Sequence, residues 1–586
     1  MEQATQQPTQ NERDPLRRFG PALLVALALL LLLPGNNTLP LIDRDEPRFA
    51  RATQEMIERG EWAVPLFNSD PAMDNEARWR AVAAGASAES AGYRFDKPIL
   101  IYWLMRPCYA LLGANEFAAR LPSVICSALL VWLTFHIGAR WFSATAGFAA
   151  GFGLLTCLQM LIHGRLAVAD MPMVLCVLAA HFALFELLRE ESPRGRRRWF
   201  WLFYGALGVG FLAKGPVAVV TPAVTLLVHR FVFWRQPLPW RRLRLEWGIP
   251  LVLAIIAAWG IPALVRTHGL FWRIGIGEHI VARGHESFQG HGSWAPHYYL
   301  VSALVSLFPW IAFAGDGVRA VRRGWNERNA FLLSWAVGAY VLFTCYLTKL
   351  PHYVLPAFPA LLLMLGQAFE SGAAPTRWTK LWFWLVNALL LLAGSAVLAV
   401  ALGEQFEPAF SGLRWVLFGA AGVVFSLMLL GLLWRAGRRL ASALPLIGLI
   451  IGTTVISAGL RQITPATQLQ PLFQQLPRDT KCGCLDFGEP SLTFYAARPW
   501  ESVVDANALA AFLAKPGPRV VICQERELRL GDYIKRLRGK PVKPWGGSDL
   551  LQQLAVLDAS GCQRRDVQGF NSARGSWVWL RVYYRL

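Results

Sequence analysis

Charge is scarce in this sequence. Charged residues fill 16% of its 586 positions, while hydrophobic residues fill 54% and tryptophan alone occurs 25 times. A soluble globular domain carries about 25% charged residues. That shortfall, with a mean hydropathy of +0.35, argues against a water-soluble chain. Acidic residues are the scarcer sign, 38 against 58 Lys and Arg, for a net charge of +20. Such an excess would suit a nucleic-acid binder, but the basic residues fall in short loops between apolar runs, which excludes that reading. Internal repeats are absent, and no paired, interrupted apolar segments carry charges at mid-membrane depth. Those are the marks of a transporter with repeated halves. The first apolar run, "FGPALLVALALLLLLP", lacks a small-x-small cleavage site near its end and is read as a retained helix.

What is present is a series of apolar stretches of about 17–25 residues, each long enough to cross a bilayer as a helix. About thirteen can be counted, centred near residues 26, 128, 152, 179, 206, 224, 256, 306, 339, 361, 391, 423 and 450. The loops between them differ in sign. "RGRRRW" (194–199), "WRRLRLEW" (240–247), "RAVRRGWNER" (319–328) and "WRAGRRL" (434–440) are basic, whereas "LIDRDEPR", "AVADMP" and "GEQFEP" are not. Basic loops stay on the cytoplasmic side. The N-terminus is therefore expected inside and, with thirteen spans, the C-terminus outside. The expected fold is an α-helical polytopic membrane protein with a small external C-terminal α/β domain. Residues 1–464 form the membrane domain, with external loops at 35–117 and 266–297, and residues 465–586 form the soluble domain.

The first external loop opens with "DEPRFARATQEMIERGEW", which reads as an amphipathic helix on the membrane surface. Asp45 or Glu46 can cap it, and Pro47 suits its first turn. "KPILIYWLMRPCYALLG" (97–113) reads as a re-entrant or interfacial helix. The Ala-, Gly- and Ser-rich stretch between them, about 71–94, reads as a flexible insertion. The loop 266–297 carries five of the ten histidines. In the tail, "KCGCLDFG", "RVVICQ" and "SWVWLRVYY" read as strands and "DANALAAFLAKPG" as a helix. Four of the nine cysteines, Cys482, Cys484, Cys523 and Cys562, lie there. An external tail faces an oxidising space, so one or two disulfides are expected. Cys482-Gly-Cys484 could instead serve metal or redox chemistry.

Ionisable residues near membrane depth are costly and mark function. Here they collect on the external side: Asp45 and Glu46; Asp96 and Lys97; Arg165 and Asp170 in "HGRLAVADMP"; Lys214; and Lys349, His352 and Tyr353 in "TKLPHYVLP". Each has a structural alternative: a helix cap, a surface ion pair, an interfacial anchor. Their shared side points to one outward-facing site. Lys and Arg at an interface suit a lipid-linked phosphate, and a nearby carboxylate suits a general base or a group that positions an acceptor. Transfer of a group from a lipid phosphate is the chemistry these residues describe. Without ATP or sugar nucleotides outside the cell, a polyprenyl-phosphate sugar is the activated donor available.

These segments resemble a known family. "DRDEPRFA", "FDKPILIYWL", "GRLAVADMP" and "LTKLPHYVLPAFPAL" resemble motifs of the lipid-A aminoarabinose transferases and the dolichyl-phosphate-mannose-protein mannosyltransferases, of the GT-C superfamily of polyprenyl-phosphate-sugar-dependent glycosyltransferases. "FLAKGPVA" and "EHIVARG…HGSWAPHYYL" also fit. The resemblance implies a GT-C fold and an inverting transfer. It gives Asp45 the role of catalytic carboxylate, with Glu46 and Asp170 as further acidic candidates. It sets Lys97 on the donor phosphate and Arg283 on the leaving phosphate. Arg48 and Tyr102 stand inside the matched motifs and join Arg165, Lys349, His352 and Tyr353 as substrate-binding candidates. Some members hold a divalent metal ion, for which Asp96, His279 and His291 would be the ligands; no other cofactor is implied. The expected partners are a polyprenyl-phosphate-linked sugar, an acceptor such as lipid A, and the membrane, with the protein acting as a monomer in a bacterial inner membrane. A protein or cell-envelope glycan as acceptor is the alternative within the same chemistry.

Overall fold

The computed structural model describes residues 14–282, 295–371, 374–403, 411–529 and 548–586, with the single positions 532, 535 and 541. Most of this is helix. Among the described residues eight helices are long and apolar enough to cross a membrane, or nine if the bent pair Tyr298–Ser306 and Trp310–Arg323 counts as one. All thirteen centres read from the sequence fall in helices, but several of these are too short or too charged to count as spans by that measure. Helix α1 (Pro15–Leu32) packs against α5 (Glu116–Trp141) and α6 (Ala144–Thr156). After the short α7 (Leu158–His163), α8 (Asp170–Arg189) packs against α5 and α9 (Pro193–Lys214). The helices Ser411–Arg435 and Ala443–Ile463 approach closely because glycines face each other. A Cβ on Gly419 would meet the Gly452 carbonyl at 2.6 Å. Small residues are what allow membrane helices such proximity.

Above this bundle lies a second apolar core. It is built jointly by the first external loop, with Leu41, Phe49 and Tyr102, and by the tail, with Leu469, Tyr495, Val578 and Leu580. Helix α2 (Glu46–Glu58) buries Phe49, Ala52, Thr53 and Met56, so the expected amphipathic helix is present. It packs against α4 (Leu100–Leu112), the expected interfacial segment. The stretch read as a flexible insertion is instead ordered over α3 (Asn75–Ala83). Asp74 caps it by accepting from the Ala77 amide at 2.7 Å. Arg78 is buried and donates to the carbonyls of Asp70 and Met73. Composition suggested flexibility; a cap and one arginine turned back on its own loop override it.

The tail forms a five-stranded mixed sheet of β1 (Lys481–Leu485), β2 (Trp500–Ser502), β3 (Arg519–Arg529), β4 (Gln563–Asn571) and β5 (Ser576–Arg585), in the order β2-β1-β3-β5-β4. The pairs β1–β2 and β1–β3 are parallel; β3–β5 and β4–β5 are antiparallel. All nine cysteines are free thiols, which corrects the expected disulfides. Register separates Cys523 from Cys482 and Cys484. Cys484 stands opposite Ile522, so Cys523, one residue on, points to the other face. Cys482 and Cys484 accordingly lie in the core shared with the loop, and Cys523 in the core beneath the helices Ala506–Ala514 and Ser548–Asp558.

One buried ion pair ties these layers together. Arg120, fully buried in α5, donates to both carboxylate oxygens of Glu46 at 2.9 and 2.8 Å. It also donates to the carbonyls of Asn36, Leu39 and Pro40. Glu46 in turn accepts from the amides of Ile42 and Ala167. Removing one partner of such a pair strands the other charge, at a cost of about 3–5 kcal/mol. Arg120→Ala is expected to lower the thermal unfolding temperature of the purified protein sharply. An unchanged temperature would show that the loop is held without it.

Candidate active site

A polar cavity of about 880 Å³ opens between the bundle and the layer built by the first long loop and the tail. Its floor comes from the turn 168–170 and from Lys214, His352 and Tyr353; its walls come from Arg44, Asp45 and Arg48 and from Arg94 to Lys97. Residues 87–90 and Ala573 of the β4–β5 turn complete the rim.

Asp45 sits immediately before α2 in the capping position, yet its side chain makes no capping hydrogen bond. It is exposed to the cavity. Its neighbour Glu46 is spent on Arg120 and on two backbone amides and does not line the cavity. The two adjacent carboxylates therefore divide, one holding the loop and the other facing the space. Asp170, at the start of α8, lies 2.5 Å from the Lys214 ammonium and 3.9 Å from His352 Nε2. The His352 ring lies tilted against His163 with centroids 4.5 Å apart, and Lys214 Nζ lies 5.4 Å from the centre of the Tyr353 ring. Lys97 donates to the Asp96 carbonyl at 2.9 Å.

Behind this wall, Arg94 donates to Asp96 Oδ2 at 2.9 Å and to the Tyr102 hydroxyl at 2.9 Å. Burial alone would pull the Arg94 guanidinium down, but Asp96 and Tyr102 outweigh it and hold it above the usual range. Tyr102 is buried and supports Arg94 rather than facing the cavity.

Two further candidates also have their hydrogen bonds directed away from the cavity. Arg165 is buried and donates to the Pro34 and Leu31 carbonyls at the end of α1 and to the Thr453 hydroxyl. Lys349 is buried and donates to the Thr344 and Tyr346 carbonyls, where the helix Glu327–Thr344 ends. Helix ends leave carbonyls without partners, and in a bilayer no water can satisfy them; these cations do so. The structure thus assembles Asp45, Arg48, Asp96, Lys97, Asp170, Lys214, His352 and Tyr353 around one cavity. Glu46, Tyr102, Arg165 and Lys349 do not line it. Arg283 and His291 lie outside the described residues, as does the side chain of His279. The sequence reading passes over Arg94 and His163. For the first, the spacing Arg94-Phe95-Asp96 is the available signal, since extended residues two apart share a side.

Among the described residues no three His, Cys, Asp or Glu side chains converge as metal ligands. Of the three implied ligands only Asp96 has a described side chain, and it pairs with Arg94.

A second cavity, of about 540 Å³, adjoins the first. It is apolar, with Met173, Phe211, Val220, Ile256, Trp259 and Phe271 among its walls. The two share Phe95, Asp96, Lys97, Lys214 and Tyr353. An oily groove and a charged chamber thus meet at two lysines.

Asp43 anchors the rim from outside. Its Oδ1 accepts from the Ser491 amide at 2.8 Å. Nearby Glu489 accepts from Asn571 and pairs with Arg574 at 2.6 Å. Burial, and then the neighbouring Glu489 carboxylate, push the Asp43 carboxyl up to about 7 from 3.8. The folded state therefore binds the Asp43 proton more tightly than the unfolded chain does. Its contribution to stability is whole below about pH 4 and is lost as pH rises through about 7. Asp43→Asn, which stays neutral, is expected to flatten this part of the dependence. Thermal unfolding of both forms between pH 5 and 8 tests it; parallel curves would refute the assignment.

Residues 96–265 match the family model of dolichyl-phosphate-mannose-protein mannosyltransferases. An undecaprenyl phosphate-alpha-4-amino-4-deoxy-L-arabinose arabinosyl transferase of Pectobacterium atrosepticum is 30% identical over 407 residues, 67% of this chain and 66% of the relative. The matched stretch thus spans about two thirds of that relative's length. The protein of the same description from Pectobacterium carotovorum is 28% identical over 495 residues, 79% of this chain and 81% of the relative. Among solved structures, ArnT from Cupriavidus metallidurans bound to undecaprenyl phosphate shares the fold. Its TM-score is 0.71 at 20% identity, over 95% of this chain and 97% of that one.

Proposed function

The chain belongs to the GT-C superfamily of polyprenyl-phosphate-sugar-dependent glycosyltransferases, and we propose that it transfers a sugar from a polyprenyl phosphate to an acceptor on the outer side of a bacterial inner membrane. Lipid A is the acceptor this reading favours, as the motif resemblance to the lipid-A aminoarabinose transferases implies. The observation that carries it is the junction of the apolar groove and the polar cavity at Lys97 and Lys214. A lipid tail suits the groove, its phosphate suits the two ammonium groups, and the sugar then projects into the polar chamber.

The acceptor enters that chamber from the rim. Its oxygen attacks the anomeric carbon from the side away from the lipid phosphate. One bond forms between that oxygen and the sugar, the bond from the sugar to the phosphate oxygen breaks, and configuration inverts. The leaving polyprenyl phosphate gains negative charge, which Lys97 and Lys214 stabilise where it develops. Asp45, facing the cavity without a capping bond, orients the acceptor and takes its proton if it is a hydroxyl. A phosphate acceptor is already ionised near neutral pH, and Asp45 then only positions it. Asp170 keeps Lys214 in place, and His352 and Tyr353 close the floor. In this reading residues 1–464 are the membrane domain and 465–586 an external domain, with the N-terminus cytoplasmic.

Asp45→Asn preserves shape and removes charge. General-base catalysis contributes about 100- to 10,000-fold, so transfer from a synthetic polyprenyl-phosphate sugar in detergent is expected to fall by at least about 100-fold, with donor binding intact. Lys97→Ala is expected to weaken donor binding as well as turnover. Near-normal transfer by Asp45→Asn would remove it from the reaction. Topology has its own test: a reporter active only in the cytoplasm, fused after residue 586, is expected to be silent.

A further inference from the structure

The other end of the bundle holds a cavity of its own, about 740 Å³ in volume. It lies at the end of α5 remote from Glu116 and Arg120, where the helices Ala314–Arg323, Phe358–Ser371 and Ser411–Arg435 also finish. None of the catalytic candidates lines it. By the basic-loop rule this end faces the cytoplasm.

Four arginines line this cavity: Arg319, Arg323, Arg435 and Arg439. Against them stand Asp316 and Glu370, so four positive charges less two negative leave a net +2. Asp316 holds two of the arginines in place, Arg319 at 2.6 Å and Arg435 at 2.7 Å. The Nη2 of Arg435 is buried and makes no hydrogen bond among the described residues. A buried donor left unmatched is unusual and calls for a partner. Arg323 and Arg439 are exposed. The remaining wall is aromatic, with Phe313, Phe369 and Trp434; the Arg439 guanidinium lies 5.4 Å from the Trp434 ring centre.

Orientation in the membrane requires only that basic residues be present in these loops. It does not require arginines from two separate loops to converge on one cavity. Nor would a purely aqueous anion need aromatic walls. Fixed guanidinium groups recognise phosphate oxygens, and basic pockets between membrane helices on the cytoplasmic side suit anionic lipid headgroups. We propose that this cavity binds the phosphate headgroup of an anionic phospholipid from the cytoplasmic leaflet, with its glycerol and upper chains against the aromatic wall. This is a lipid site separate from the donor site and independent of the reaction assigned above.

The full-length protein in nanodiscs of equal phosphatidylglycerol and phosphatidylcholine provides the test. After release into detergent, native mass spectrometry counts the retained lipids. Wild type is expected to favour phosphatidylglycerol by about 10-fold, the worth of one charge-assisted contact. The R323E/R439E variant is expected to lose that preference, and R323K/R439K to keep most of it. Phenylglyoxal labelling of wild type gives a reading that does not depend on how the variants fold. Phosphatidylglycerol is expected to slow modification of Arg323 and Arg439, and phosphatidylcholine is not. Equal retention of the two lipids by wild type, or an unaltered preference in a folded R323E/R439E, would overturn the proposal. Protection by inorganic pyrophosphate but not by phosphatidylglycerol would reassign the cavity to a soluble anion and overturn it equally.

Discussion

The bidentate contact between Arg120 and Glu46 is the constraint on which the layer above the helical bundle depends. A guanidinium and a carboxylate withdrawn together from water are tolerable only when the rest of their hydrogen-bonding capacity is also met. Here it is. Arg120 supplies three carbonyls of the loop 36–40, and Glu46 takes the amides of Ile42 and Ala167. Three separate parts of the chain are thereby held: the exit from α1, the start of α2, and the turn that leads into Asp170. Because Glu46 is held, Asp45 is carried one residue away to the cavity face, without needing a bond of its own to keep it there.

The same physics sorts the other cations. A bilayer offers no water to the last carbonyls of a helix, so a long basic side chain that reaches them removes a cost nothing else can. Arg165 does this for α1 and Lys349 for the helix before it. Lys97 and Lys214 stand instead between an apolar groove and a polar chamber. Lys97 donates to the Asp96 carbonyl and Lys214 pairs with the Asp170 carboxylate, whereas Arg165 and Lys349 each reach two helix-end carbonyls; residue type cannot report that difference.

The C-terminal sheet contributes to the cavity as well as covering it. Tyr495 donates to Glu116 and accepts from the Leu41 amide, and Asn68 exchanges two hydrogen bonds with the Trp500 backbone. Asp43, two residues before Asp45, reaches the Ser491 amide. Ala573 then stands on the rim of the cavity. The entrance to this cavity is therefore made of sequence from both ends of the chain. The geometry of that entrance depends on how a sheet with a shared apolar core rests on the first loop.

Much was legible beforehand. Apolar runs of membrane-spanning length, basic loops alternating with non-basic ones, and an amphipathic period after "DEP" are local properties. They do not require knowing what lies across the molecule, and they predicted the helical membrane architecture, α2 and three of the five strands. The clustering of Asp45, Lys97, Asp170, His352 and Tyr353 around one cavity agrees with the expectation that they share one side of the bundle. Tertiary structure alone decided which charges are spent. Glu46, Arg165, Lys349 and Tyr102 look like site residues in the chain, because a cation or acid near membrane depth is rare in either role. Their partners lie 8 to 288 residues away for Tyr102 and Arg165, or in backbone carbonyls that any residue could supply. The free cysteines and the ordered α3 were missed for a related reason: strand register and a capped, arginine-stitched turn are pairwise geometries. Sequence sets which groups must be buried or charged; only the fold determines which of them are already satisfied.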